Sequence, residues 1–502
     1  MRIGGLASGM DIDSLVSEMM KAERIPMDKM TKKKQTLEWQ RDDYRGMNKI
    51  LQELDDLMFL DKNGISREAS FLKKSVTSSN ESAVSAKAIN AGSNITTNIE
   101  VDRLAKSASW KSAAVLPYTA GAAELSFTVK DPGATATRQV EISISATDTI
   151  DNVIAKLNTS SLGVTAMKEK IWDGAAYTDT IVFTSNATGT GGELTVNDSV
   201  TKSFLQEKLG FTDTNKWDGN KLLASTDGLD AVIKVNGFQM EKKSNIFTIN
   251  GIEYTAKNVT TDPVTISSST DVDGILDTIV KFVDKYNEVI GKINGEISET
   301  RYRDFQPLTD EEKEAMTEDQ IEKWEEKAHS GLLKNDSVLS SGLNKMRSDF
   351  YSPVNGTDNL SGFTQLSAIG IKTSSNYLDK GKLILDEATL REKIQENPNA
   401  LYELFNADGD NQETKGIARR IRGTIKGTID SIEEKAGNTL TTNQSFTIGR
   451  NLDDVDNRID AFQDRLLQLE DRYWRQFTEM EKAIQKANQQ SAYITQQFSS
   501  GY

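Results

Sequence analysis

Apolar residues recur at helical spacing at both ends of the chain. After the basic stretch KMTKKKQ, apolar positions follow one another at spacings of seven, three or four: Leu37, Tyr44, Met47, Leu51, Leu54 and Met58. Near the other end the spacings alternate between three and four, and the series continues after a shift of one residue: Leu452, Val455, Ile459, Phe462, Leu466, Leu469, Tyr473, then Phe477, Met480 and Ile484. Such repeats are typical of helices packed along one apolar stripe. The pattern predicts that the two ends form long helices that pack on each other as a coiled-coil stalk.

The first predicted helix begins close to the start of the chain. Asp11 or Asp13 is suited to cap it, and Leu15, Val16, Met19 and Met20 give it an apolar face: the stretch reads DIDSLVSEMMKAERIP. Pro26 is expected to end or kink this helix. Acidic residues interrupt the apolar ones here, unlike in a cleavable secretory signal, so we expect the segment to remain on the mature protein.

The middle of the chain changes to a β pattern. Asn236-Gly237 and Asn250-Gly251 each lie between alternating apolar runs and predict two tight hairpins. Pro132-Gly133 predicts a turn between two further strands. A short amphipathic helix capped near Asp148 should follow, with its apolar face made by Ile150, Val153, Ile154 and Leu157. Strands resume at DTIVFTSN and GELTVND.

Helical spacing returns after Asp271, where one face collects Ile275, Ile279, Phe282, Val283, Tyr286 and Ile290. The β region is therefore inserted between helical segments. We predict an α+β multidomain fold, in which a discontinuous helical coiled-coil stalk formed by both termini carries inserted β-rich head domains. The predicted parts are terminal leg helices at 1–35 and 446–502, a helical stalk domain at 36–74 and 273–445, an inner β-rich head domain at 75–110 and 228–272, and an outer α+β head domain at 111–227.

Charge and composition exclude several classes of protein. The chain has 502 residues and a formal net charge of −15, which argues against nucleic acid or an anionic membrane as the main partner. No stretch approaches the roughly 18 consecutive apolar residues that would cross a bilayer, so membrane insertion is not expected.

Candidate chemistry is sparse. The chain has no cysteine and one histidine, His329, which we interpret as a solvated or capping residue near a helix end. Asn406, Asp408 and Asp410 have the first spacings of a calcium loop, but Asn411 and Ile417 stand where glycine and glutamate are needed. We therefore expect no catalytic residue, no cofactor and no metal.

Several separated stretches together resemble one family. They are GLASGMDIDSLVSEMMKAER followed by Pro26, KFVDKYNEVIGKIN, LSAIGIKT, GKLILDEATLREKIQENPNALYELF and QFTEMEKAIQKANQQSAYITQQF. These resemble the bacterial flagellar filament cap family, also called the hook-associated protein 2 family. SISATDTIDNVIAKLN also resembles a hairpin–helix module of flagellins, and the acidic residues 304–328 resemble a segment found in only some family members.

The resemblance implies a structural protein of the distal flagellar filament, outside the cell. It implies a small ring, usually a pentamer, whose plate promotes the folding and polymerisation of exported flagellin and prevents its leakage. The implied partners are copies of the same chain, flagellin, hook–filament junction proteins, the flagellar export machinery and an export chaperone.

On this hypothesis the apolar faces of the terminal helices contact other subunits or the filament: Leu15, Met19, Leu466, Leu469, Tyr473, Phe477, Met480 and Ile484. The same stripes could instead close within one chain. Two other functions stay open, a hook–filament junction or flagellin-like filament subunit, and a surface adhesin that acts through the head domains.

Overall fold

The computed structural model describes residues 9–89, 92–114, 118–172, 176–355, 363–376, 379 and 381–499, with backbone only at 498 and 499. Residues 1–8, the beginning of the predicted leg segment 1–35, lie outside the described residues. The chain divides into two compact units. The helical unit comprises Met1–Phe71 and Val272–Tyr502, and the β unit comprises Leu72–Asp271.

The helices, in chain order, are α1 (Ile12–Phe59), α2 (Glu68–Phe71), α3 (Ile150–Thr159), α4 (Ser199–Ser203), α5 (Val272–Ser298), α6 (Asp310–Glu314), α7 (Glu318–His329), α8 (Ser337–Tyr351), α9 (Glu387–Glu396), α10 (Pro398–Asn406), α11 (Ile417–Ala436) and α12 (Thr447–Ser499). Single helical turns of other types lie at Phe204–Lys208, Thr214–Lys216, Leu366–Ile369 and Asn443–Ser445.

The strands, in chain order, are β1 (Lys74–Ser78), β2 (Val84–Ala88), β3 (Thr96–Arg103), β4 (Ser107–Lys111), β5 (Ala123–Lys130), β6 (Arg138–Ile144), β7 (Val164–Trp172), β8 (Tyr177–Thr188), β9 (Glu193–Val196), β10 (Trp217–Asp218), β11 (Lys221–Leu222), β12 (Ala231–Val235), β13 (Phe238–Lys242), β14 (Ile246–Ile249), β15 (Ile252–Ala256), β16 (Val264–Thr270), β17 (Ile371–Thr373) and β18 (Leu383–Leu385).

The core of the helical unit forms where α1, α5, α8 and α11 pack together. All six predicted face residues of α5 are buried, which confirms the predicted helix. Leu51, Leu54 and Met58 on α1 have no exposed surface. The apolar stripe of residues 37–58 therefore packs against several helices, because α5 and α11 contact it as well as α12.

α1 runs unbroken through Pro26, so the predicted end of the helix at this residue is wrong, while a kink there stays a prediction. In an α-helix, the N–H of residue 26 would donate a hydrogen bond to the carbonyl of Ala22, but proline has no N–H. Ala22 and Pro26 both lie on the exposed side of α1, where water can bind the freed carbonyl. The opposite side packs against α12 and keeps the helix continuous. The prediction of a cap at Asp11 is confirmed, because its carboxylate accepts a 3.0 Å bond from the Ser14 amide.

The β unit contains two hydrophobic cores. One lies between an antiparallel sheet of order β1-β16-β3-β12-β13 and a second sheet of order β14-β15-β2. Both predicted Asn-Gly hairpins are confirmed: Asn236-Gly237 joins β12 to β13, and Asn250-Gly251 joins β14 to β15. Asn236 and Asn250 have φ of 52° and 49°, the left-handed conformation that tight hairpin turns require.

The other core of the β unit lies among the sheets β10-β11-β9-β5-β6 and β4-β8-β7 together with α3 and α4. The turn predicted at Pro132-Gly133 connects β5 to β6. Helix α3 is capped by Thr149, one residue after the predicted cap. Asp148 instead binds the Lys156 ammonium at 2.5 Å and the Ser145 amide at 2.7 Å.

The predicted fold class is confirmed: helices from both termini share one unit, and a β-rich region is inserted between them. The four-part division into legs, stalk, inner head and outer head stays a prediction, as does coiled-coil geometry in the strict sense.

Candidate assembly site on the terminal helices

α1 and α12 pack side by side in opposite directions. The Tyr473 hydroxyl donates a 3.0 Å hydrogen bond to Glu23 Oε1. Further along, Lys34 Nζ lies 2.6 Å from Asp456 Oδ1. Residue numbers rise along α1 while those of the partners fall along α12, so the two helices are antiparallel.

An apolar seam holds this pair together. Its buried members are Ile12, Val16, Met20 and Leu466, and its partly buried members are Met27, Phe462, Leu469, Tyr473, Trp474 and Phe477. Isolated helices are marginal in water unless an apolar face is buried. The seam therefore provides the burial that α1 needs over its first turns.

The structure separates the eight predicted contact residues into two groups. The seam within the chain contains Leu466, Leu469, Tyr473 and Phe477. Met480 and Ile484 are half-buried and extend the seam. In this arrangement the apolar stripes pack against each other within one chain. Leu15 and Met19, in contrast, are each 37% exposed and lie outside the seam. Whether any of the eight contacts another subunit stays a prediction.

The sequence patterns missed other exposed apolar residues. Met10, just before α1, and Ile25 on α1 are exposed in addition to Leu15 and Met19. On α12 every side chain from residue 485 to 497 is exposed, including Tyr493 and Ile494. These residues do not follow the three-four spacing, so only their position near the end of a long helix could have indicated them.

Charged contacts fix α1 on a second side. Lys32 Nζ lies 2.7 Å from Glu312 Oε1, and Arg24 Nη1 lies 3.3 Å from Glu311 Oε1. Burial, together with the nearby Glu311 carboxylate, raises the pKa of Asp28 between them. The acidic segment predicted at 304–328 thus lies directly against α1.

The single histidine occupies a helix end, as its sequence position indicates. His329 is the last residue of α7, and its Nε2 lies 2.9 Å from Asp43 Oδ1 on α1. Its ring is 5.0 Å from that of Trp39. Pairing with a residue so distant in sequence gave no local signal.

Metal-ligating side chains do not cluster among the described residues. Within the described ranges no three histidine or acidic side chains are placed to hold a metal ion. In the loop with calcium-like spacing, Asn406 is buried and donates to the Ile65 carbonyl at 2.8 Å, while Asp408 pairs with Arg419 at 3.0 Å. None of the helices in the described part of the chain is long and apolar enough to cross a membrane.

Antiparallel terminal helices with exposed apolar residues, separated in sequence by an inserted β unit, are typical of a structural protein that assembles with other chains. Comparison with known proteins gives the family. The model for the C-terminus of flagellar hook-associated protein 2 matches residues 228–489, the model for its N-terminus matches 8–108, and the flagellin hook IN motif matches 124–187.

Relatives with this name extend over most of the chain. Flagellar hook-associated protein 2 of Halalkalibacterium halodurans is 33% identical and covers 99% of this chain and 100% of its own. That of Salmonella typhimurium is 26% identical over 72% of this chain and 68% of its own. Among solved structures, the D1-D2-D3 domains of the flagellar cap protein FliD from Escherichia coli share the fold, with a TM-score of 0.54, 20% identity, and coverage of 82% of this chain and 99% of that chain.

The chain belongs to the flagellar hook-associated protein 2 family, the structural proteins that cap the flagellar filament at its distal, extracellular tip. The resemblance noted in the sequence is confirmed.

Proposed function

We propose that this chain is the subunit of a small ring, a pentamer, and that its terminal helices contact neighbouring copies and flagellin. The plate so formed promotes the folding and polymerisation of flagellin and prevents its leakage. We further propose that hook–filament junction proteins, the flagellar export machinery and an export chaperone are its other partners, and that the chain has no catalytic activity.

The far end of α12 is the observation that carries this proposal. Its 13 residues 485–497 remain helical although every one of their side chains is exposed. A helical end without apolar burial is marginal in water. Docking of this end against another chain would supply the missing burial, with Tyr493 and Ile494 as the apolar contacts.

The outer side of α1 supports the same role. Leu15 and Met19 are exposed next to the buried seam residues Val16 and Met20. A partner laid over Leu15 and Met19 would bury them without opening the seam. The partner chain could therefore bind without displacing α12 from α1.

Two experiments on the full chain test the proposal. The first measures molar mass by light scattering after size exclusion, over a range of concentrations. The second measures polymerisation of purified flagellin on filament seeds in the presence of the protein. The double variant Leu15→Gln and Met19→Gln should weaken the ring and reduce flagellin incorporation, because it removes apolar contacts with the partner chain. Both side chains are exposed in the single chain, so the fold of the single chain should be unaffected.

A matched control is Ser17→Gln with Ala22→Gln, which places the same side chains at exposed positions of the same helix. This control should leave the ring and flagellin incorporation unchanged. A wild-type chain that stays monomeric at every concentration, even with flagellin present, would contradict the proposal. Open polymers that keep growing would favour a filament subunit instead.

A further inference from the structure

Residues 299–336 form an arm, containing α6 and α7, that folds back onto α1. Aromatic packing stabilises the arm internally: the rings of Phe305 and Trp324 are 4.6 Å apart, and Trp324 Nε1 donates to the Gln306 carbonyl at 2.8 Å. Capping boxes at Thr309 and Thr317 begin its two helices. The arm therefore has local structure of its own before it contacts α1.

Polar contacts connect the arm to α1, and Leu333 of the arm also belongs to the hydrophobic core of the helical unit. The polar contacts are Lys32 with Glu312, Arg24 with Glu311, Asp43 with His329, Gln40 with the Leu332 carbonyl, and Tyr44 with Asp336. Ion pairs with exposed partners contribute little free energy and respond to charge state and salt. Protonation can therefore change how strongly the arm binds to α1.

We propose that His329 and Asp43 form a pH-responsive latch that fastens the arm to α1 and closes more tightly as the pH falls. The inference does not depend on the capping role, because every contact it uses lies within one chain.

The surroundings of His329 favour its charged form. Asp43 lies on α1, Glu296 on α5, and Glu299 in the segment after α5, where it accepts a 2.6 Å bond from the Gly331 amide. The Arg301 guanidinium is nearby but binds the carbonyls of Ala328 and Ser330. Hence three carboxylates favour the charged imidazole, and the Arg301 guanidinium donates to carbonyl oxygens.

Two further features favour a positive charge here. His329 ends α7, where the negative end of the helix dipole favours a cation. The ring also lies close to Trp39, and an imidazolium gains from the negative face of an indole. On its own helix, the neighbouring Lys327 points to the Phe305 ring at 4.8 Å.

The direction of the pH effect follows from these contacts. The hydrogen bond to Asp43 raises the pKa of His329 above its usual 6.5, although partial burial opposes the shift. A raised folded-state pKa gives stabilisation that is complete below about 6.5 and is lost as the pH rises through the raised value. Burial and the Asp43 and Glu299 carboxylates also raise the pKa of Glu296, so this carboxyl too favours the closed arm at acid pH.

The first test is a titration of the intact protein by NMR. His329 is the single histidine, so its imidazole signal needs no assignment. The wild-type imidazole should titrate above pH 6.5, and the variant Asp43→Asn should lower its pKa. The matched control Asp42→Asn should not, because Asp42 is exposed and pairs with Arg41. A wild-type pKa at or below 6.5, or one unaffected by Asp43→Asn, would overturn the latch.

The second test measures hydrogen exchange in peptides from α7 and from residues 24–43, corrected for the intrinsic effect of pH on exchange. Wild-type protection should be several-fold greater at pH 5.5 than at pH 8.5. In His329→Gln most of this pH dependence should be lost, with only the smaller contribution of Glu296 remaining, while α9 serves as an internal reference. A pH dependence that persists undiminished in His329→Gln would assign it to Glu296 or Asp28 and refute the latch. If one variant fails to fold, as judged by circular dichroism, the other variant and the wild-type titration decide.

Discussion

Lys34 of α1 and Asp456 of α12 form an ion pair between the two ends of the chain, with Nζ 2.6 Å from Oδ1. The bond to Asp456 is the main reason that the pKa of Lys34 is raised. Both side chains are about one-third to two-fifths exposed. The pair fixes the register of the helices, but the buried apolar seam beside it should contribute most of their stability.

The first prediction compares these two contributions. Asp456→Asn should cost about 0–1 kcal/mol, because the pair is partly solvated. Leu466→Ala should cost at least about 2 kcal/mol, since Leu466 is only 6% exposed and its removal leaves a cavity in the seam. Local unfolding free energies of α12 from hydrogen exchange provide the measurement. Equal costs would show that the ion pair matters as much as the seam.

The second prediction concerns Pro26 inside α1. Pro26→Ala should stabilise the first half of α1 by up to about 3 kcal/mol, because it restores a main-chain hydrogen bond and relieves the clash of the ring. Hydrogen exchange of residues 12–30 should slow accordingly. The control Ala22→Ser, one turn earlier on the same exposed side, should produce no such gain. Exchange in Pro26→Ala that is unchanged or faster would mean that Pro26 does not destabilise α1.

The third prediction uses two glycines that both have open space around an added Cβ. Gly237 has φ of +84°, so Gly237→Ala should destabilise the β12–β13 hairpin by about 1–2 kcal/mol. Gly46 lies in α1 with ordinary helical φ, so Gly46→Ala should stabilise that helix by about 0.5–1 kcal/mol. Hydrogen exchange in each element measures both. If both substitutions stabilised, or both destabilised, their elements, the effects could not come from backbone conformation alone.

The fourth prediction concerns Asp336, which joins three helices. Its carboxylate caps α8 through the Leu339 amide at 2.9 Å and accepts bonds from the Tyr44 hydroxyl at 2.5 Å and the Lys435 ammonium at 2.9 Å. Burial opposes ionisation, yet these bonds lower the pKa of Asp336. Asp336→Asn should cost about 1.5–3 kcal/mol in urea unfolding of the helical unit. The control Asp408→Asn, whose carboxylate is exposed, should cost little.

The pH dependence of this contact has a defined sign. A lowered folded-state pKa gives stabilisation that is present above the ordinary value of 3.8 and is lost as the pH falls through the folded-state value. At the other extreme, burial and Asp336 raise the pKa of Tyr44 to about 12. The contribution of the Tyr44 hydroxyl should therefore be lost as the pH rises from about 10 through 12. Tyr44→Phe should abolish the alkaline part of the dependence and reduce the acid part, because the bond from Tyr44 also lowers the pKa of Asp336.

Local patterns were enough to predict much of the fold. The two Asn-Gly pairs specify their turns through backbone preference alone, and the spacing of Ile275 and Tyr286 on α5 specifies which side is buried. These features depend on residues close together in sequence. The same is true of the cap at Asp11.

Features that depend on distant residues were not predictable in this way. Leu15, Val16, Met19 and Met20 form one apolar face, and only the position of α12 decides that Val16 and Met20 are buried while the other two are exposed. The pairing of His329 with Asp43 likewise needs the arm to fold back over α1. α1 does not end at Pro26, because packing along the other side of α1 outweighs the preference of proline to end a helix.

The pairing of β1 with β16 has a consequence for how this family can diversify. Lys74, at the start of β1, is paired with Thr270, at the end of β16. The β unit therefore enters and leaves the helical unit through two adjacent strands. A different module with neighbouring ends could be exchanged at this point without lengthening or shortening any helix. Replacement of the β unit could thus proceed without any change in the helical unit.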